Sequence, residues 1–192
     1  MSRKILAIVA ATGLAATAAN AQQGPVLLIV DNTDASNVTF IATGAAAAVN
    51  DSSASIIGGV SLLNLFADAG FATGGSQVIG GDLSPNGTAN NYNRILNGIG
   101  TLGASGLNLW TSGASAPTGQ SFTTTDPAFT GATTGFDFSG VLFNSSGDIV
   151  IGDTAGIPGS GAVLGTWQLI PTPGAAGLFA IAGLIGARRR RA

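Results

Sequence analysis

The side chains available for chemistry in this chain are mostly aspartates and hydroxyls. The 192 residues include no histidine and no cysteine. This excludes Ser-His and Cys-His nucleophile pairs and the usual zinc and copper sites. Lysine is absent between Gln22 and Ala187, so a Schiff base is excluded there as well. The composition predicts a non-enzymatic protein, and hydrolysis of a glycosidic bond by two aspartates is the remaining catalytic alternative.

The charge of this region also excludes a class of partners. Between Gln22 and Ala187, nine aspartates accompany one cation, Arg94, so the formal charge of the region is −8. A surface without a cationic patch cannot neutralise phosphates, and it repels polyanions. We therefore expect no binding to nucleic acid.

Two groups of aspartates could offer oxygen ligands to calcium. Asp148 and Asp153 stand at the two ends of one short predicted strand, and Asp31 and Asp34 follow the first strand. Calcium takes about six to eight oxygens, many of them from the backbone. No regular Asp-x-Asp-x-Asp-Gly loop is present, and aspartate is also a common turn residue. The sequence predicts no bound cofactor, and calcium at Asp148 and Asp153 is the candidate exception.

Aromatic residues near Arg94 are the candidates for binding an organic ligand. Tyr92 and Arg94 lie in an asparagine-rich segment, and Trp110 interrupts the alternation of its predicted strand. Aromatic rings of this kind can stack on sugars, as they do in carbohydrate-binding domains. The alternative is a polar loop in which Arg94 pairs with an aspartate. Trp167 is bracketed by apolar residues and is predicted to lie in the core.

These residues must be positioned by strands, because the apolar pattern is mostly that of β-structure. Alternating or continuous apolar runs predict strands at 25–30, 38–42, 107–110, 148–152 and 163–169. With 30 glycines and many Ser, Thr and Asn turns, the pattern predicts an all-β domain over 22–170. We expect an antiparallel β-sandwich of jelly-roll or immunoglobulin-like type. The predicted buried residues are Phe40, Phe136, Phe138, Val163 and Trp167.

Three local features accompany this prediction. Residues 61–70 suit either a helix capped by Ser61 or a strand, and both interpretations remain open. Ser139 and Gly140 separate two runs of opposite parity, which predicts a bulge. Residues 158–161 are expected to form the turn before the last strand.

The N-terminus has the pattern of a secretory signal peptide. Arg3 and Lys4 precede an apolar run that extends to Leu14. A small-x-small site, Ala19-Asn-Ala21, then predicts cleavage before Gln22. Residues 1–21 are therefore interpreted as a signal helix that directs the chain to the Sec export machinery.

The C-terminal tail, residues 171–192, has an unusual composition. A Pro-x-Pro-Gly hinge leads into an uncharged Gly/Ala/Leu/Ile run that ends at Ala187. The 14 residues from Gly174 to Ala187 would extend about 21 Å as a helix. This is shorter than the roughly 20 residues of an ordinary membrane span. The terminal arginines would stay on the cytoplasmic side of the membrane. The residues of the hinge are Pro171, Thr172, Pro173 and Gly174, and the arginines are Arg188, Arg189, Arg190 and Arg191.

This tail resembles the PEP-CTERM sorting signal of Gram-negative bacteria, although Thr172 stands where the family usually has Glu. The resemblance covers Pro171 to Arg191. It implies recognition by an exosortase, an integral-membrane cysteine transpeptidase that removes the tail near the prolines. The protein would then pass from transient inner-membrane anchorage to the cell surface or extracellular matrix. A plain C-terminal anchor is the alternative.

Two functional classes follow from these features. The first is an exported structural or adhesive protein without enzymatic activity. The second is a carbohydrate-binding module that acts on extracellular polysaccharide, with an Asp-based glycoside hydrolase as its catalytic variant.

Overall fold

The computed structural model describes residues 24–53, 58–68, 77–78, 80–85, 91–97, 104–111, 120–152 and 158–170. Within these ranges the chain is all-β and contains no helix, as the sequence predicted. The strands are β1 (Val26–Asp31), β2 (Val38–Ala42), β3 (Val60–Leu62), β4 (Gln77–Val78), β5 (Gly80–Gly81), β6 (Ser84–Pro85), β7 (Arg94–Leu96), β8 (Leu107–Trp110), β9 (Phe129–Thr130), β10 (Ala132–Phe136), β11 (Ser146–Gly152) and β12 (Pro158–Ile170).

Ten of the described strands form one mixed sheet. Their order is β4-β7-β8-β3-β11-β12-β1-β2-β10-β5, and β6 pairs with β9 in a separate two-stranded sheet. All neighbours in the large sheet are antiparallel except β1 and β12, which are parallel. This pair corrects the expectation of a purely antiparallel arrangement. Because β1 and β12 come from opposite ends of the domain, no short hairpin forces them to run antiparallel.

The large sheet is curled. Its two edge strands, β4 and β5, are separated in the sequence by one residue. The Cα atoms of Val78 and Gly80 can therefore be at most about 7 Å apart. A flat ten-stranded sheet would hold its edges about 40 Å apart at roughly 4.8 Å per strand. The curl consequently brings the two edges of the sheet together.

Aromatic side chains dominate the core. Phe40, Phe136, Phe138 and Trp167 are each at most 2% exposed, so these four predictions are confirmed. The rings of Phe40 and Phe136 meet edge to face at 5.1 Å, a favourable aromatic geometry. Phe136 and Phe138 are stacked at 5.5 Å. The same core cluster includes the aliphatic residues Leu28, Val30, Val60, Leu62, Leu109, Ile149 and Leu164.

The prediction for Val163 is wrong because of a β-bulge. Ile149 pairs with Gly165 and Val150 pairs with Val163, so Leu164 is an extra residue on β12. A one-residue insertion reverses which side chains face the core. Leu164 is accordingly 0% exposed, whereas Val163 is only half-buried.

The structure also decides the three local features. Residues 60–62 form a strand, followed by a turn in which Asn64 has a φ of 53°, so the strand interpretation holds for the start of 61–70. Ser139 and Gly140 form a turn instead of a bulge, since the amide of Val141 donates to the carbonyl of Phe138 at 3.0 Å. Residues 158–161 belong to β12 and not to a turn, because Pro158 pairs with Gly152.

Several predictions concern residues outside the described ranges. They are the signal peptide at 1–21, Asp153, and the tail at 171–192. Among the described residues, no helix is long and apolar enough to cross a membrane.

Candidate functional site: Arg94 and Trp110

Arg94 and Trp110 lie directly opposite each other on β7 and β8. The guanidinium carbon is 5.7 Å from the centroid of the indole ring, which is a cation–π distance. Opposite residues of an antiparallel pair share one face of the sheet, so the strand register holds the two side chains together. Both side chains are half-buried and keep part of their surface accessible.

Each side chain has a buried donor that finds no acceptor among the described residues. Within the described part of the chain, Arg94 makes no ion pair, and its Nε is buried without a hydrogen-bond partner. The Nε1 of Trp110 is also buried, and no described residue accepts a hydrogen bond from it. A buried donor that finds no acceptor costs about 1–3 kcal/mol. The pairing of Arg94 with an aspartate, the alternative raised by the sequence, is not found among the described residues.

Asn108 adds an acceptor to the same face. It lies two residues before Trp110 on β8 and is 0% exposed. Its Nδ2 donates to the carbonyls of Gly58 at 3.0 Å and Val60 at 3.1 Å, and to Oγ of Ser61 at 3.3 Å. Its Oδ1 is buried and has no hydrogen-bond partner in the part of the chain that the structure describes. We refer to Arg94, Trp110, Asn108 and Ser61 together as the Arg94 cluster.

The opposite face of the same strands packs into the core. Val60, Ile95 and Leu109 are 0% exposed and belong to the main core. Side chains alternate between faces along a strand, so the core side fixes the positions of the polar residues between them. Gly152 leaves the space that the Asn108 amide occupies, because a Cβ added at residue 152 would collide with Nδ2 of Asn108.

Tyr92 does not belong to this site, although the sequence grouped it with Arg94 and Trp110. Its ring is 1% exposed and has no free face for a ligand. The Tyr92 hydroxyl donates to Oε1 of Gln120 at 2.6 Å, and Nε2 of Gln120 donates to the carbonyl of Gly59 at 2.8 Å. Burial raises the pKa of Tyr92 well above its ordinary value. Tyr92 is therefore a neutral core residue at physiological pH.

Four of the eight aspartates in the described ranges shape turns with their side chains. Asp31, Asp34, Asp51 and Asp137 each accept a hydrogen bond from the backbone amide two residues later, where the sequence has Ser or Thr. In the first three turns the hydroxyl donates to the same oxygen. Aspartate has the length for this Asx turn, which gives the carboxylates a structural role.

Among the described residues, the calcium candidates do not form a common site. Asp148 lies on β11 opposite Thr166, and Asp153 falls outside the described ranges. Asp31 and Asp34 are each engaged in their own turns. No group of three or more carboxylate, histidine or cysteine side chains suited to a metal occurs in the part of the chain that the structure describes.

Sequence reasoning identified Arg94 and Trp110 but missed Asn108 and Ser61. Each of the two missed residues is a polar residue inside an otherwise apolar strand, Leu107–Trp110 and Val60–Leu62. Water does not reach a polar side chain on a strand that is buried on both faces, so this side chain needs a hydrogen-bond partner inside the protein. A polar residue inside an apolar strand is therefore the sequence signal that could have identified Asn108 and Ser61.

Comparison with known proteins adds no relative. No protein-family model, no curated protein and no solved structure matches this chain. The function must therefore be inferred from the residues of the chain itself.

Proposed function

We propose that this chain is an exported cell-surface or extracellular-matrix protein, with a structural or adhesive role, sorted through its C-terminal tail. The observation that carries the proposal is the tail itself, a proline hinge and short apolar run closed by Arg188 to Arg191. The tail begins at the residue after Ile170, the last residue of β12. An exosortase-type transpeptidase could thus remove the tail without removing a residue of the described sheet.

The proposed route has two steps. The signal peptide at 1–21 takes the chain to the Sec machinery, and cleavage leaves Gln22 as the first residue. The apolar run then halts the tail in the inner membrane with its arginines inside. Processing near Pro171 and Pro173 releases the domain to the surface of a Gram-negative bacterium. The prolines favour an extended, accessible backbone at that point.

We also propose that the domain is not an enzyme. The residue types for nucleophilic and zinc catalysis are missing from the sequence, and Asp31, Asp34, Asp51 and Asp137 are used in turns. Hydrolase activity of the purified protein that disappears when one aspartate is replaced by asparagine would overturn this part of the proposal.

For the architecture, we propose that the curled sheet closes into a β-sandwich of the jelly-roll or immunoglobulin-like type. The signal and the tail would form its flanking helices. The aromatic core and the meeting of edge strands β4 and β5 support the closure. Cross-peaks in an NMR spectrum of the mature domain between core side chains of β2 and β3, which lie four places apart in the sheet, would test it.

The sorting proposal is tested by intact-mass measurement of the protein in membrane, cell-surface and culture fractions. We expect a membrane form that starts at Gln22 and retains the tail, and a surface form that has lost it. Replacing Arg188 to Arg191 with glutamine should leave the tail unprocessed or let the chain slip across the membrane. Replacing the same residues with lysine keeps the charge, and this control should retain the membrane intermediate. A surface protein that keeps its tail, in cells where deletion of the tail leaves the location unchanged, would contradict the proposal.

Glycan binding is the second candidate function. The observation that favours it is the Arg94 cluster, which combines a part-exposed tryptophan with buried polar atoms that lack partners. A polysaccharide pull-down or glycan array with the mature protein would test it. If no polysaccharide retains the protein, glycan binding is wrong and the structural role remains.

A further inference from the structure

We infer that the folded domain restrains the removal of its own tail, because β12 holds the residues that immediately precede the proline hinge. This inference rests on the proposed sorting function and adds a regulation to it. The processing enzyme must reach the hinge either against the folded sheet or after the end of β12 has separated from its neighbours. Moving the hinge away from β12 should therefore accelerate the removal of the tail.

The end of β12 is held on both sides. The strand lies between β11 and β1. Leu169 is opposite Val30 of β1, and its amide donates to the carbonyl of Ser145, immediately before β11, at 2.9 Å. Ile170 lies opposite Asp31 of β1. An edge strand can detach by leaving one neighbour, whereas the end of β12 must give up partners on both sides.

Side-chain packing holds the same end of the strand. Trp167 is 0% exposed, and its Nε1 donates to the carbonyl of Leu63 at 3.1 Å. Leu169 is partly buried and packs against the core cluster. Separation of the last residues of β12 therefore exposes apolar surface as well as backbone hydrogen-bonding groups.

The chain between the sheet and the apolar run is short. Residues 171–173 are all that separates Ile170 from the run that begins at Gly174. Even when fully extended, three residues span only about 10 Å. With the apolar run halted in the membrane, the sheet would therefore stand close to the bilayer while the tail is attached. A processing enzyme has little room between the two.

The short segment also offers few backbone donors. Proline has no N–H, so Thr172 is the single amide donor among residues 171–173. Extended peptides are commonly recognised through main-chain hydrogen bonds. Upstream of the hinge, the amide of Leu169 is already used by the sheet. An enzyme that binds an extended segment on this side must compete with the neighbours of β12.

The test is a pulse-chase measurement of tail removal in the bacterium that produces the protein, followed by intact mass. A spacer of about six Gly and Ser residues, which spans about 13 Å, is inserted between Ile170 and Pro171. The hinge, the apolar run and the arginines stay unchanged. We expect the tail to be removed about 10-fold faster than in the wild type, the factor for one or two hydrogen bonds that no longer need to break.

The same spacer inserted between Ser139 and Gly140 is the matched control. These residues form an exposed turn at a distance in sequence from the tail, and exposed turns tolerate insertions. Because this insertion leaves the distance between β12 and the hinge unchanged, we expect the wild-type rate of tail removal.

Hydrogen exchange on the purified chain 22–192 tests the physical cause without the enzyme. We expect the Leu169 amide to exchange slowly in the wild type and equally slowly in the chain with the spacer after Ile170, because that spacer lies outside β12. Exchange of the wild-type amide at the rate of an exposed amide would show that the end of β12 is already open, and would overturn the inference.

The contrary results distinguish this inference from the sorting proposal. If the tail is removed but the spacer after Ile170 leaves the rate unchanged or lowers it, the domain does not restrain removal, and the sorting proposal still stands. Equal acceleration by both spacers would show that the distance between β12 and the hinge is not the cause, and the inference would again be wrong. If no chain loses its tail, the sorting proposal is overturned and this inference fails with it.

Discussion

Ile170, the last residue of β12, pairs with Asp31, the last residue of β1. The two strands are parallel, so the domain begins and ends at opposite ends of one strand pair: Val26 lies opposite Thr166 at the other end. β12 is also an interior strand, held between β11 and β1. The border between the described sheet and the tail therefore falls at Ile170.

Truncation at this border should leave the fold intact. A fragment 22–170 is expected to melt within a few degrees of the chain 22–192. A fragment 22–165 loses the segment from Thr166 to Ile170, which pairs with both β1 and β11. The loss of the Trp167 side chain alone would cost about 3–5 kcal/mol. We expect this fragment to be unfolded, as judged by circular dichroism during heating. Equal, cooperative melting of the two fragments would contradict the described register.

The sequence predicted those features that depend on local pattern. Alternation places Phe40 in the core, and the shared parity of Phe136 and Phe138 places both rings there as well. The predicted strands at 25–30, 38–42 and 107–110 correspond to β1, β2 and β8. Alternation is visible in β2, where Val38 and Phe40 are buried and Thr39 and Ile41 are half-buried. β1 and β8 are short, largely apolar runs, which a sequence also displays directly.

The features that escaped prediction depend on distant partners. The parallel pairing of β1 with β12 joins the two ends of the domain, and the bulge at Leu164 exists only relative to β11. Tyr92 is flanked by asparagines and suggested an exposed loop, but its hydroxyl partner, Gln120, lies 28 residues further along the chain. Within the candidate site, the unsatisfied state of Asn108 emerges only when its neighbours on β3 are known.

Gly147→Ala should destabilise the protein by about 1–3 kcal/mol, the usual cost of overpacking. A Cβ at this position would collide with the carbonyl of Leu63 and lie 2.7 Å from Nε1 of Trp167. It would thereby disturb the hydrogen bond from that Nε1 to the Leu63 carbonyl, 3.1 Å long. Gly80→Ala is the matched control, because its nearest neighbour, the carbonyl oxygen of Thr134, would be at 3.8 Å. Urea unfolding should separate the two variants, and equal midpoints would show that Gly147 is not sterically required.

Asp137 should titrate below its ordinary pKa of 3.8. The nearby Ser139 hydroxyl is the largest cause, followed by the hydrogen bond from the Ser139 backbone amide at 3.0 Å. A lowered folded-state pKa means that the associated stability is present above the ordinary value and is lost as the pH falls through the folded-state pKa. Ser139→Ala should move the pKa of Asp137 upward, measured from its carboxyl carbon by NMR. Ser36→Ala removes the corresponding hydroxyl beside Asp34 and should leave Asp137 unchanged. If both variants give the same Asp137 titration, the Ser139 hydroxyl does not stabilise the Asp137 carboxylate.

Tyr92 allows a corresponding prediction at alkaline pH. Its titration can be assigned without ambiguity, because it is the only tyrosine in the chain. Burial raises its pKa well above the ordinary value of about 10. For a group whose folded-state pKa is raised, the stabilising contribution is complete below the unfolded-state pKa and is lost as the pH rises through the folded-state pKa. The fold should therefore weaken above about pH 10, where unfolded tyrosine begins to lose its proton.

We expect the phenolate absorbance of the native protein to appear together with the loss of β-structure, and not before it. In urea the same absorbance should titrate near pH 10, as for an unfolded tyrosine. Tyr92→Phe removes this titration but leaves Oε1 of Gln120 without its donor, at a cost of about 1–3 kcal/mol at neutral pH. Relative to its own neutral-pH stability, the variant should therefore lose less between pH 9 and 11 than the wild type, because no phenol is present to ionise. Phenolate absorbance that rises near pH 10 while the circular dichroism spectrum stays native would show that the Tyr92 hydroxyl is accessible, and the buried Tyr92–Gln120 hydrogen bond would be wrong.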